Sequence, residues 1–185
     1  MTTIAPRFRL PHLFARFAQD ARGVSAVEFA MLLPLMITLY LGTVEISQGV
    51  GIDRKVTLTT RTAADLASQV SSINNADMTN MLNASSSVIA PYDATKLKVT
   101  VSAVTIDANG NAKIAWSDTL NGTKRTVGST VTLPSALKVN NTTLIWSEVS
   151  YAYTPTIGYL ISGTLQLKDQ IYMRPRLSDT VARTT

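Results

Sequence analysis

The sequence predicts an α+β protein: a long apolar N-terminal helix continues into an amphipathic helix packed on an antiparallel β-sheet head. Three observations carry that expectation. Phe29–Val44 is a run of sixteen residues without a charge. Apolar positions then recur at helical spacing to about residue 74, and beyond residue 96 the period falls to two. A helix laid on a sheet is a common way to bury one face of each.

Composition sets the outer bounds. The chain has 185 residues, 45% apolar and 16% charged, with a net charge of +5, one histidine and no cysteine. A disulfide framework, a thiolate nucleophile and a thiolate zinc site are therefore excluded. With His12 alone, a multi-histidine metal site or a Ser-His-Asp triad is excluded elsewhere in the chain.

Charge divides the chain into segments. Residues 1–23 hold Arg7, Arg9, Arg16 and Arg22 against Asp20, a balance of +3. Residues 24–46 hold only Glu28 and Glu45, whereas residues 47–185 spread 13 basic and 9 acidic groups thinly. That diffuse surplus, without a basic run or interleaved aromatics, argues against nucleic acid as a partner. As a helix, the 23 residues Val24–Ile46 would measure roughly 34 Å. A hydrocarbon core is about 30 Å thick, so the segment can span a membrane. A soluble core helix would show a polar stripe; this one is apolar all round. Four arginines precede the span, and Asp53, Arg54 and Lys55 follow it. The positive-inside bias keeps residues 1–23 in the cytoplasm and sends residues 47–185 across the membrane. An exported domain without cysteine is compatible with a bacterial envelope.

Glu28 needs a reason to be there. A charged carboxylate costs at least about 2.5 kcal/mol near a bilayer centre, and less at the interface. One reading is an interfacial acid near the positive end of the helix dipole. Spacing offers another. Were the chain cut after Gly23, Val24 would be residue one and Glu28 residue five, putting a new α-amine one turn from a carboxylate.

The run Arg22-Gly23-Val24-Ser25-Ala26-Val27-Glu28-Phe29, ahead of a long apolar stretch, resembles the N-terminus of type IV pilins and pseudopilins. Its glycine, four small or apolar residues, glutamate and aromatic Phe29 are similar to the tight-adherence (Tad, or Flp) branch, and more closely to TadE-like minor pilins. Glu148–Pro155 (EVSYAYTP) and Met173–Arg176 (MRPR) also resemble the C-terminal segments of TadE-like proteins. The likeness covers roughly residues 16–70 and 143–178, and residues 75–142 carry none. It implies a pilin-like head and a leader, residues 1–23, removed by a prepilin peptidase between Gly23 and Val24. It implies assembly through the apolar helix, with Glu28 pairing the Val24 α-amine of a neighbouring subunit. Implied partners are the prepilin peptidase, the major Flp pilin, other minor pilins and the inner-membrane Tad platform. The implied place is the bacterial inner membrane, single-pass with a periplasmic head, or the pilus itself, serving adhesion and surface attachment. The sequence departs from that pattern in its leader of 23 residues, in Pro34 and in Gly49-Val50-Gly51. Pro34 is read as a kink, and the two glycines as an interruption and hinge after the span.

The exported part begins with an amphipathic helix over residues 47–74, its apolar positions Val56, Ala63, Leu66, Ala67, Val70 and Ile73, with Thr59 filling a step. Residues 75–178 form the head and residues 179–185 a tail. Asn75 or Asp77 caps a shorter helix running to Ile89, before Pro91. Leu97, Val99, Val101 and Ala103 alternate with Lys98, Thr100 and Ser102 as a half-buried strand. Asp107–Asn111 is a hairpin turn and Ala112–Asp118 the returning strand. Asn121-Gly122 marks another turn, Leu133-Pro134 a short helix or loop, and Thr142–Tyr153 and Thr164–Met173 two further strands.

No chemistry is visible in this head. Asp107-x-Asn109-x-Asn111 lacks the sixth-position glycine and twelfth-position glutamate of a calcium loop, where Ala112 and Asp118 stand. There is no glycine-rich phosphate loop and no paired-carboxylate motif, so neither a cofactor nor catalysis is expected. Asn83, Asn121 and Asn141 match the glycosylation acceptor pattern, which is common in so Ser/Thr-rich a domain. Trp116, Trp146, Tyr151 and Tyr153 read as packing residues. Two competing readings remain: an uncleaved, membrane-anchored periplasmic binding domain, and a secreted protein cut after Gly49, with Ser47 three residues before that bond.

Overall fold

A computed structural model describes residues 21–155, 157–158 and 162–185, with side chains from residue 23. His12, most of the expected leader and Tyr159–Ile161 lie outside the described residues. The chain divides into two compact units, residues 1–44 and 45–185. Helix α1, Ala21–Ser68, begins in the first and ends in the second.

In the first unit, strong helix formers such as Ala30, Leu32, Leu33 and Leu35 carry α1 through Pro34. Thr38 donates its hydroxyl to the Pro34 carbonyl, and Thr43 to that of Leu39, each at 2.8 Å. Both hydroxyls are thereby satisfied within the helix, as an apolar surrounding requires.

The second unit holds the rest of α1, then β1 (Ser72–Ile73), α2 (Asn75–Ser87), β2 (Leu97–Ile106), β3 (Ala112–Leu120), β4 (Thr142–Tyr153), β5 (Leu165–Met173) and β6 (Ala182–Arg183). The main sheet is antiparallel with strand order β3-β2-β4-β5. α1 turns Ile52, Val56, Thr59, Thr60, Ala63 and Ala67 into the core, a 3.6-residue stripe of mostly small side chains. Buried Thr59 and Thr60 return their hydroxyls to the carbonyls of Lys55 and Val56.

The helix stops at Ser68, short of the expected residue 74. Serines 68, 71 and 72 are weak helix formers, and Ile73 is taken by a strand instead. β1 pairs in parallel with β6, so part of the expected tail belongs to the fold. The helix-end carbonyl of Ser68 accepts the main-chain N–H of Arg176 at 2.8 Å, and Arg176 is ion-paired with Asp65. α2 is capped by Asn74, one residue before the expected Asn75: its side-chain oxygen accepts the N–H of Asp77 at 2.8 Å. It ends at Ser87, two residues before buried Ile89.

The four long strands follow the sequence expectation. Asp107 closes the β2–β3 turn by accepting from the N–H groups of Asn109 and Asn111, both at 2.8 Å, with Gly110 at φ +80°. Hydrogen bonds from the side chain and backbone of Asn111 lead in holding that carboxyl below its ordinary pKa. Both sheet faces are partly covered, which is why Ser102 is buried against the simple alternation. The inner face packs on α1 and α2 through Leu97, Val99, Val101, Ala103, Trp116 and Ile145. On the outer face Val104, Ile106, Ala112, Ile114 and Leu144 pack with Leu133 of the β3–β4 connection. A bulge makes this possible. Ala103 pairs with Trp116 and Val104 with Ile114, leaving Ala115 unpaired, so Ile114 and Trp116 join opposite cores although only two residues apart.

Candidate functional site

The apolar segment of α1 is the feature that a single chain leaves unexplained. Residues 23–37 are all exposed, among them Met31 at 76%. A continuous apolar surface of this kind marks a membrane or protein contact. The span is long and apolar enough to cross a bilayer, with mean hydropathy 1.9.

Its expected functional residues stand on that surface. Gly23 and Val24 both lie inside the helix, and open space surrounds the Gly23 Cα. Glu28 follows Val24 by four residues, so the two occupy the same side of α1, about 6 Å apart along its axis. Phe29 is 56% exposed. The structure thus brings Val24 and Glu28 together on one helix face.

The glycines behave differently from the expectation. α1 runs unbroken through Gly49-Val50-Gly51, so the foreseen interruption is absent. A Cβ at Gly49 would lie 3.6 Å from the Tyr153 ring, and one at Gly51 3.1 Å from the Tyr92 hydroxyl. The first is an ordinary contact, whereas the close approach of Tyr92 gives Gly51 a packing reason.

Two arrangements were not legible in the residues. Glu45 is buried at 1% exposure where the second unit begins, and its main-chain oxygen accepts the Tyr153 hydroxyl at 3.4 Å. Burial, then the Glu45 charge, pushes the Tyr153 hydroxyl above its ordinary pKa. The position of Glu45 at the end of an apolar run was the only available signal. The second is a web around Asp118, whose carboxylate pairs with Lys124 at 2.6 Å and Arg183 at 2.7 Å. No signal in the sequence joins residues 65 positions apart.

Trp116, Trp146, Tyr151 and Tyr153 are buried, in keeping with their reading as packing residues. Among the described residues no group of three His, Asp or Glu side chains converges to hold a metal ion. No curated protein and no solved structure matches the chain. Residues 23–65, the stretch that carries Gly23, Glu28 and the apolar span, match the family model described as TadE-like protein.

Proposed function

We propose that this chain is a minor pilin of a Tad/Flp-type pilus, serving surface attachment. The observation that carries the reading is the exposed apolar helix with Glu28 one turn from Val24, within the stretch that matches the TadE-like family. The protein inserts with its N-terminus in the cytoplasm and its head in the periplasm. Prepilin peptidase cuts between Gly23 and Val24. Glycine at position 23 lowers helix propensity by about 1 kcal/mol, which favours local unwinding at that bond. The freed helix packs among those of the major Flp pilin and other minor pilins on the inner-membrane platform. Glu28 then meets the Val24 α-amine of a neighbour. Either charge alone in an apolar bundle would cost several kcal/mol, and the pair offsets much of that cost while fixing the axial register. Pro34 supplies the helix with a point of adjustment during packing.

N-terminal sequencing of the membrane-purified protein tests this directly. Val24 as the first residue supports the pilin reading. An intact leader makes the protein a static anchor, and Val50 as the first residue makes it a secreted domain; either result overturns the proposal.

A further inference from the structure

The outer face of the sheet is covered only at one end. At the other, strand register sets Lys98, Ser150 and Lys168 in one row and Thr100, Glu148 and Gln170 in the next. With the 122–129 segment these rows line a groove of about 870 Å³.

Two of its cations, Lys124 and Arg125, are paired with Asp118 and Glu148, and two are not. The two carboxylate oxygens of Glu148 accept from Nε and Nη2 of Arg125, at 2.6 and 2.7 Å. That guanidinium is held further by the Trp146 ring, 3.9 Å below it, and Trp146 is stacked on Tyr172. The Trp146 indole N–H donates to Gln170 Oε1 at 3.3 Å, which leaves the Gln170 amide N–H groups as its open end. Asp169 Oδ1 accepts the main-chain N–H of Gln170. Lys98 and Lys168, by contrast, are exposed and have no ion pair among the described residues. They stand two strands apart, about 10 Å between backbones, with Ser150 between them.

We propose that this groove binds an acidic polysaccharide, with successive carboxylates on Lys98 and Lys168 and sugar hydroxyls on Ser150 and Gln170. Two separated cations suit a repeating anion better than one compact ion. The floor of serine, threonine and amide groups suits hydroxyls rather than apolar peptide side chains. Nucleic acid is disfavoured, because Trp146 lies buried beneath Arg125 and offers no stacking platform. The inference is independent of how the chain is processed or assembled.

The test uses the full chain in nanodiscs of zwitterionic lipid, titrated calorimetrically with trigalacturonate, maltotriose and oligothymidylate. Trigalacturonate binds and weakens with added salt, while maltotriose, of similar size but uncharged, does not bind. The double variant Lys98→Ala/Lys168→Ala loses about tenfold or more in affinity at an unchanged melting temperature. Lys98→Arg/Lys168→Arg retains binding, and Lys138→Ala, outside the groove, matches the wild type. The proposal fails if wild type does not bind trigalacturonate, or if the double alanine variant binds it equally well. It also fails if oligothymidylate binds as tightly as trigalacturonate, since the groove would then accept any polyanion.

Discussion

The indole N–H of Trp116 donates to the main-chain oxygen of Val181 at 2.8 Å, fastening the end of the chain to the inner core of the sheet. Two residues on, Arg183 repeats the fastening. It reaches Asp118 Oδ2 at 2.7 Å, the Ile73 carbonyl at 3.1 Å and Asn75 Oδ1 at 2.6 Å. The C-terminal residues thus close over the junction between α1 and α2.

Arg183→Ala removes that closure. Asp118 would keep only Lys124, and its partly buried carboxylate would lose its less exposed partner. A loss of about 2–4 kcal/mol is expected in urea unfolding of the head, read from the midpoint at constant slope. A shift too small to measure would show that β6 is held by its backbone alone.

Asp118 also makes stability depend on acidity. Burial acts to raise its pKa, but hydrogen bonds from Arg183 and Lys124 outweigh it and hold the carboxyl below its ordinary value. A depressed folded-state pKa gives stability that is complete above the unfolded value and lost as pH falls through the folded one. Melting temperature should therefore decline below about pH 4. Asp118→Asn should start less stable and decline less steeply; a decline as steep as wild type would place the acid sensitivity elsewhere.

Gly23→Ala should leave the leader attached. Alanine favours the helix by about 1 kcal/mol at the bond that must unwind, and it puts a methyl group beside the cleavage point. Immunoblotting resolves the long and short forms, and normal processing of this variant would place the cut elsewhere.

Glu28→Ala should insert into the membrane at least as well as wild type, because it removes a charge from an apolar span. Pili carrying the subunit should nonetheless fall sharply, since the neighbouring α-amine loses its counter-charge. Equal incorporation of the variant into sheared pili would remove the carboxylate from assembly.

Much of the head could be read from its residues because its signals are local. Alternation over Leu97–Ala103 and the turn chemistry of Asp107–Asn111 and Asn121-Gly122 fix the strands, and Asn121 takes the positive φ of 55° that such a turn asks for. What escaped depends on distance. A strand of two residues such as Ser72–Ile73 has no period to detect, and its partner lies at the far end of the chain. The contact of Glu45 with Tyr153 joins residues 108 positions apart. The groove residues Lys98, Lys168 and Gln170 were visible as polar strand positions, but only the order β2-β4-β5 makes them neighbours. The α1 segment before residue 45 was legible for the opposite reason. As a long apolar helix it is set by composition rather than by any fold contact.

Ala115 has a consequence for how this hairpin can change over time. Counted from the Asn111 turn, Ile114 falls on the outer side; counted from the Asn121 turn, Trp116 falls on the inner side. The two counts disagree by one, and Ala115 absorbs the difference. Inserting or deleting one residue between those turns, Ala115 itself excepted, would send an aromatic or aliphatic anchor to the wrong side. Length variation among descendants of this chain should therefore collect in the turns and in the 121–141 connection, while β3 keeps its parity.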